Sequence, residues 1–148
     1  MVMHDSFVRE RPYEQIELGE SFSVTKGISE ADIANFGGVV GDFNPIHFDP
    51  QYAKTTMFGQ RLAHGMMTAS FISTAIGCGL PGKGALYLGQ DIKFVKPVYI
   101  GDTVTARVEV IEKQDAKRQL ILKTTVTNQH GDLVVDGKAT VRVLKKES

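Results

Sequence analysis

Hydrophobic residues follow two rhythms along this chain, and the change from one to the other outlines the fold. Phe22, Val24, Lys26 and Ile28 alternate with their neighbours, a short strand pattern with one imperfection. Ser29 then precedes Glu30-Ala31-Asp32, a capping residue followed by acids in the first helical turn. The helix it opens carries Ile33, Phe36 and Val40 on one side and stops at Gly41. Residues 42–59 are rich in Asn, Asp, Pro and Gly and read as irregular, with one helical turn after Pro50. A second helix starts near His64 and ends at the glycines from Gly77 onward.

The period then changes to two. Leu86, Leu88, Gln90, Ile92 and Phe94 mark one face of a strand, and Val104, Ala106, Val108 and Val110 mark the next. Leu120, Leu122, Thr124 and Val126 form a third, and Leu133, Val135, Gly137, Ala139, Val141 and Val143 a fourth. The intervening 97–102, 115–117 and 128–132 all have turn chemistry. Four consecutive strands with one apolar face describe an antiparallel sheet whose other face is wetter. The helix over 64–76 is the only element apolar enough to cover the sheet. The expected fold is α+β, an antiparallel curved β-sheet wrapped around a central α-helix, in one domain over residues 1–148.

Composition adds exclusions. Hydrophobic residues make up 42% of the 148 and charged residues 23%, inside the range of ordinary globular domains. Seventeen basic side chains balance seventeen acidic ones, which removes the bulk positive field of a nucleic-acid binder. One cysteine, Cys78, allows no intramolecular disulfide. The N-terminus mixes both charges without an apolar core, so no signal peptide is read there, and a cytoplasmic location is expected. Leu62 to Gly82 is a run of 21 residues without Lys, Arg, Asp or Glu, but its polar residues and four glycines do not suit a membrane span. A helix buried on all sides by a sheet fits better, and no membrane partner is expected.

The chemistry concentrates in Gly41 to Pro50, GDFNPIHFDP. Asp42, Asn44 and His47 offer a carboxylate, an amide and an imidazole on a backbone stiffened by Pro45 and Pro50. Proline pushes the residue before it, here Asn44 and Asp49, into extended conformation. A carboxylate beside an imidazole is a pair whose environments can split it into base and acid. The competing reading is that Asp and Asn stabilise turns while His47 fills a gap. His64-Gly65 opens the uncharged helix, whose first N–H groups lack intrahelical partners at the positive end of the dipole. Without a Cβ, Gly65 admits a carbonyl oxygen close to those donors, or else it only relieves crowding against the sheet. Ala69, Ser73 and Ile76 continue its stripe and would line what lies beyond that carbonyl, with plain core packing as the alternative.

Two phosphate-loop patterns fail on context. Gly77 to Gly82 matches GxGxxG and Gly77 to Lys83 matches GxxxxGK, but a helix precedes them and a strand follows, the reverse of what those motifs need. His47 and Asp49, with His64 or His130, resemble a two-histidine, one-carboxylate metal set, but Asp49 and His130 sit in turn geometry, and no metal is expected. His4 lies in a tail and is given no role.

Gly41-Asp42-Phe43-Asn44-Pro45-Ile46-His47, then Ala53, then His64-Gly65-Met66, resembles the hydratase-2 signature of the MaoC-like, (R)-specific enoyl-CoA hydratases. The resemblance extends over most of the chain. It implies a single hot-dog fold and a homodimer joining two sheets edge to edge. It implies that Asp42 and His47 are the catalytic pair, that Asn44 supports them, and that the Gly65 amide holds the thioester carbonyl. Ser73 and Ile76 fall where such enzymes shape the acyl pocket. The implied reaction adds water to a trans-2-enoyl-CoA to give the (R)-3-hydroxyacyl-CoA, reversibly, with short to medium acyl chains. Coenzyme A is then part of the substrate and no cofactor is needed. Arg61 and Lys83 flank the helix as candidates for the coenzyme A phosphates. The rival readings are a 3-hydroxyacyl dehydratase acting on carrier-protein thioesters, a hot-dog thioesterase, and a non-catalytic acyl-thioester sensor.

Overall fold

In the computed structural model, which describes residues 7–147, five strands form one antiparallel sheet in the order β1-β3-β4-β5-β2. They are β1 (Ser21–Gly27), β2 (Ala85–Phe94), β3 (Thr103–Gln114), β4 (Gln119–Thr127) and β5 (Leu133–Val143). Helix α4 (Gly65–Cys78) packs against β1, β2, β3 and β4, with Ile72, Ala75 and Ile76 buried against the sheet. This is the hot-dog arrangement. His4 lies outside the described residues.

The period-2 faces of β3, β4 and β5 supply the core. Val104, Ala106, Val108 and Val110, then Leu120, Leu122, Thr124 and Val126, are all buried. Ala139, Val141 and Val143 complete that face, and Leu133 at its end is half-buried. The face expected for β2 is different. A register shift between Tyr87 and Gly89 inserts Leu88, so Ala85 and Tyr87 pair with Val143 and Val141, whereas Gln90 pairs with Ala139. Such a bulge switches the alternation, and it leaves Leu86 and Leu88 exposed. Further shifts at Val110/Glu112 and Val126/Thr127 bend the sheet around the helix. At Gly137 the backbone of β2 comes so close that an added Cβ would lie 1.8 Å from the Asp91 carbonyl oxygen.

Helix α1 (Glu30–Val40) begins as its sequence requires. The Ser29 hydroxyl accepts from the Asp32 N–H, the Asp32 carboxylate accepts from the Ser29 N–H, and Gly41 closes the helix at φ 78°. Lys26 also binds Asp32, and with the Ser29 contacts this holds the Asp32 carboxyl down at about 2. Ile33 is buried, but Val40 is exposed, a correction to its expected place on the packed side. One turn earlier the helix packs through Gly37, where the Phe48 ring lies 2.5 Å from where a Cβ would sit.

Residues 42–59 are less irregular than expected. Two short helices, α2 (Pro45–Phe48) and α3 (Pro50–Lys54), each begin with proline after an Asn or Asp cap. Helix α4 is also not covered on all sides, because Met66, Ser70, Ser73, Thr74 and Gly77 form an exposed stripe. No helix among the described residues is long and apolar enough to cross a membrane.

Ile72 is fully buried where α4 meets the sheet. Ile72→Ala is expected to lower unfolding free energy by about 2–5 kcal/mol through lost contact and a residual cavity. Urea denaturation of the two proteins measures the difference.

Candidate active site

The site is built from the two proline-stiffened turns and the segment that leads into α4. Asn44 (φ −52°, ψ 127°) and Asp49 (φ −110°, ψ 106°) are both extended, as their following prolines require. The Asn44 side chain accepts from the Ile46 N–H and so caps α2, while the Asn44 N–H donates to Oδ1 of Asp42 at 3.1 Å. One residue therefore holds both the carboxylate before it and the helical turn that carries His47.

His47 is fixed through its ring. Its Nδ1 lies 2.8 Å from the carbonyl oxygen of Leu62, and because a carbonyl only accepts, Nδ1 carries the proton. In the neutral ring the lone pair is then on Nε2, which faces Oδ2 of Asp42 at 3.9 Å. That separation is too long for a direct hydrogen bond. It suits one water molecule that donates a proton to each group. Side-chain exposure is 13% for His47 and 48% for Asp42, so the imidazole is largely desolvated and the carboxylate is wet. Burial pushes the His47 pKa below its ordinary value, outweighing the opposite pull of the Leu62 hydrogen bond and of Asp42.

His64 lies beneath this pair. It is 2% exposed, its ring stacks on His47 with centroids 3.9 Å apart and planes at 26°, and its Nε2 donates to the Asp42 carbonyl oxygen at 3.0 Å. Phe36 and Phe48 pack around it, and its Nδ1 is buried without a hydrogen-bond partner. Donor atoms of Asp42, His47 and His64 lie within 4.8 Å of one another. However, an ion must sit in the plane of each imidazole it binds, and two stacked rings offer no nearby point that satisfies both. Asp49 and His130 do not join this cluster. Asp49 caps α3 through the Gln51 and Tyr52 N–H groups, and His130 sits exposed in the turn closed by Asn128.

His47 and Gly65 open onto a cavity of about 380 Å³. Leu62, Thr68, Phe94 and Val134 supply much of its apolar wall, and Lys96 is at its edge. Gly65 is the first residue of α4, and His64 provides no side-chain cap, so the leading N–H groups remain available to a ligand. A Cβ on Gly65 would stand 3.0 Å from the Phe94 ring, inside the space the cavity uses.

The structure thus brings Asp42, Asn44 and His47 together, and His47 shares its cavity with Gly65. In the single chain Ala69, Ser73 and Ile76 do not line this cavity: Ala69 and Ile76 are buried in the core and Ser73 is exposed on the open stripe. Thr68 takes the position facing the cavity. Arg61 is occupied by Glu30 and the His47 backbone, and Lys83 lines a different cavity with Arg11 and Arg118. Sequence reading missed Phe94, Val134 and Lys96, because only sheet pairing brings the end of β2 and the start of β5 beside the start of α4. The signal for Arg61 is present in the sequence: it is the one Lys, Arg, Asp or Glu between Lys54 and Lys83.

Residues 11–132 match the MaoC like domain family. The chain is 48% identical over 131 residues to an (R)-specific enoyl-CoA hydratase of Rhodospirillum rubrum, covering 88% of this chain and 90% of that protein. It is 42% identical over 130 residues to an (R)-specific enoyl-CoA hydratase of Aeromonas caviae, covering 88% and 97%. Among solved structures, an unliganded R-hydratase from Pseudomonas aeruginosa superposes with a TM-score of 0.89 at 42% identity, over 94% of this chain and 89% of the other. A family match across most of the chain, with the fold and the paired carboxylate and imidazole in place, makes this protein a member of the MaoC-like domain family.

Proposed function

We propose that this chain hydrates trans-2-enoyl-CoA thioesters to (R)-3-hydroxyacyl-CoA, reversibly, with Asp42 and His47 as the catalytic pair. The observation that carries this reading is the fixed Nδ1 proton of His47, which turns an unprotonated Nε2 toward Asp42 across a water-sized gap. It is supported by the names of the relatives from R. rubrum and A. caviae. A water that donates to both groups keeps its lone pairs free for the substrate. Its oxygen bonds to Cβ as one proton passes to the pair. The π electrons move through Cα onto the thioester oxygen, which accepts from the Gly65 N–H. The captured proton then returns to Cα, the C–O π bond re-forms, and one water has been added with no atom left over. A positioned acid–base pair contributes about 10²–10⁴-fold, and an oxyanion donor about 10²–10³-fold.

The other parts of the reading follow from placement. Lys96 at the cavity edge, whose ion pair with Asp132 at 3.4 Å is exposed and exchangeable, is suited to a coenzyme A phosphate, and the cavity's size suits a short to medium acyl chain. A homodimer would cover β2, an edge strand whose Leu86 and Leu88 are exposed, together with the uncharged open stripe of α4.

Asp42→Asn and His47→Ala are each expected to lower kcat for crotonyl-CoA hydration by about 10²–10⁴-fold while the circular dichroism spectrum stays unchanged. Loss of enoyl-thioester absorbance, with chiral analysis of the product, gives both rate and configuration. Near-wild-type rates in both variants would remove the mechanism, and exclusive turnover of carrier-protein thioesters would reassign the substrate.

The reaction needs His47 unprotonated at Nε2, and burial lowers its pKa. The midpoint of the acid limb of kcat/KM is therefore expected below the ordinary imidazole value of about 6.5. A midpoint above that value contradicts the assignment of His47 as the unprotonated partner.

A further inference from the structure

Arg61 has two engagements that the reaction scheme does not use. Its Nε donates to the backbone carbonyl oxygen of His47 at 2.7 Å. Its two terminal nitrogens donate to the Glu30 carboxylate at 3.0 and 2.8 Å. The Arg61 side chain is only 15% exposed. Helix α2 is a single turn, so its last carbonyls lack intrahelical partners, and the His47 carbonyl is one of these orphans. Arg61 satisfies it, and Glu30, the first residue of α1, holds Arg61 in place.

The residues after Arg61 complete the clamp. The Leu62 N–H donates to the Ile46 carbonyl at 3.1 Å, and the Leu62 carbonyl accepts the Nδ1 proton of His47 at 2.8 Å. The Ala63 N–H donates to the Val98 carbonyl at 2.8 Å. Arg61 and Leu62 thus hold the backbone and the ring of His47, and Ala63 ties that segment to Val98. We propose that Arg61, anchored by Glu30, is a positioning residue that sets where the His47 imidazole stands, rather than a contact for coenzyme A phosphates. This rests on the hydratase reading of the site. The guanidinium fork can serve a carbonyl and a carboxylate at once, which a lysine ammonium on a flexible stem cannot reproduce. A small displacement of the group that holds the attacking water lowers turnover and leaves thioester binding intact.

The test uses full-length Arg61→Met, Arg61→Lys and Glu30→Gln in crotonyl-CoA hydration, together with ¹⁵N spectra of the imidazole rings recorded without substrate. Arg61→Met is expected to lose about 10- to 100-fold in kcat, with KM for crotonyl-CoA within about twofold of wild type. Arg61→Lys should recover little of that loss. Glu30→Gln should lose less, and the double variant no more than Arg61→Met alone. The His47 resonances of Arg61→Met should show a mixed tautomer in place of the fixed Nδ1–H form. A raised KM with unchanged kcat would make Arg61 a phosphate contact and overturn the proposal. Unchanged kcat with an unchanged His47 spectrum would overturn it too. Should Arg61→Met fail to fold, Glu30→Gln decides, since it keeps the guanidinium and loosens only its anchor. A wild-type protein without hydratase activity would sink the hydratase reading alone, and the His47 spectrum would then judge the clamp.

Discussion

The hydrogen bond from Nδ1 of His47 to the Leu62 carbonyl decides which ring nitrogen is available for chemistry. With the proton held there, the lone pair of the neutral ring points to Asp42. Much of the surrounding structure keeps this bond in register. Leu62 bridges to Tyr99, Ala63 to Val98, and α4 starts two residues later inside the sheet. The connection between β2 and β3 therefore fixes the Leu62 carbonyl, and the Leu62 carbonyl fixes the imidazole. Asn44 and its following proline hold the opposite partner at the other end of the turn. A short, exposed loop could not keep two side chains at a constant distance without this backing.

The environments of the two groups differ in a way that separates their roles. His47 is half-buried, stacked on a His64 that Phe36 and Phe48 surround, and its charged form is disfavoured. Asp42 stands half in water with Oδ1 bound by the Asn44 N–H, leaving Oδ2 toward the ring. Desolvation of one group and hydration of its neighbour is how a single pair holds two protonation tasks at one pH. His64 serves the arrangement twice, as the surface on which His47 stacks and as the donor that ties the Asp42 backbone to the start of α4.

What could be read from the sequence was what local chemistry determines. The cap at Ser29, the stop at Gly41, the extended residues before Pro45 and Pro50, and the buried faces of β3, β4 and β5 all depend on neighbours a few positions away. The catalytic candidates Asp42, Asn44 and His47 share one six-residue segment, so their proximity needed no knowledge of the fold. The bulge at Leu88 escaped because an alternating run looks the same with or without an extra residue. The open stripe of α4 escaped because a helix without charges does not announce which side lacks a neighbour. The cavity wall from Phe94 and Val134, and the hold of Arg61 on His47, come from pairings far apart in sequence. Lys96 was hidden for the same reason, whereas Arg61 and Lys83 drew notice merely by flanking the helix.

The central claim is that one water, gripped by one pair on one segment, supplies both the hydroxyl and the proton from the same side of the substrate. Hydration of crotonyl-CoA in deuterated water tests it most directly, with the configuration at C2 and C3 of the product read by proton coupling constants. The account predicts a single diastereomer in which deuterium and hydroxyl were added to the same face. Addition to opposite faces, or deuterium scrambled between both C2 positions, would contradict it.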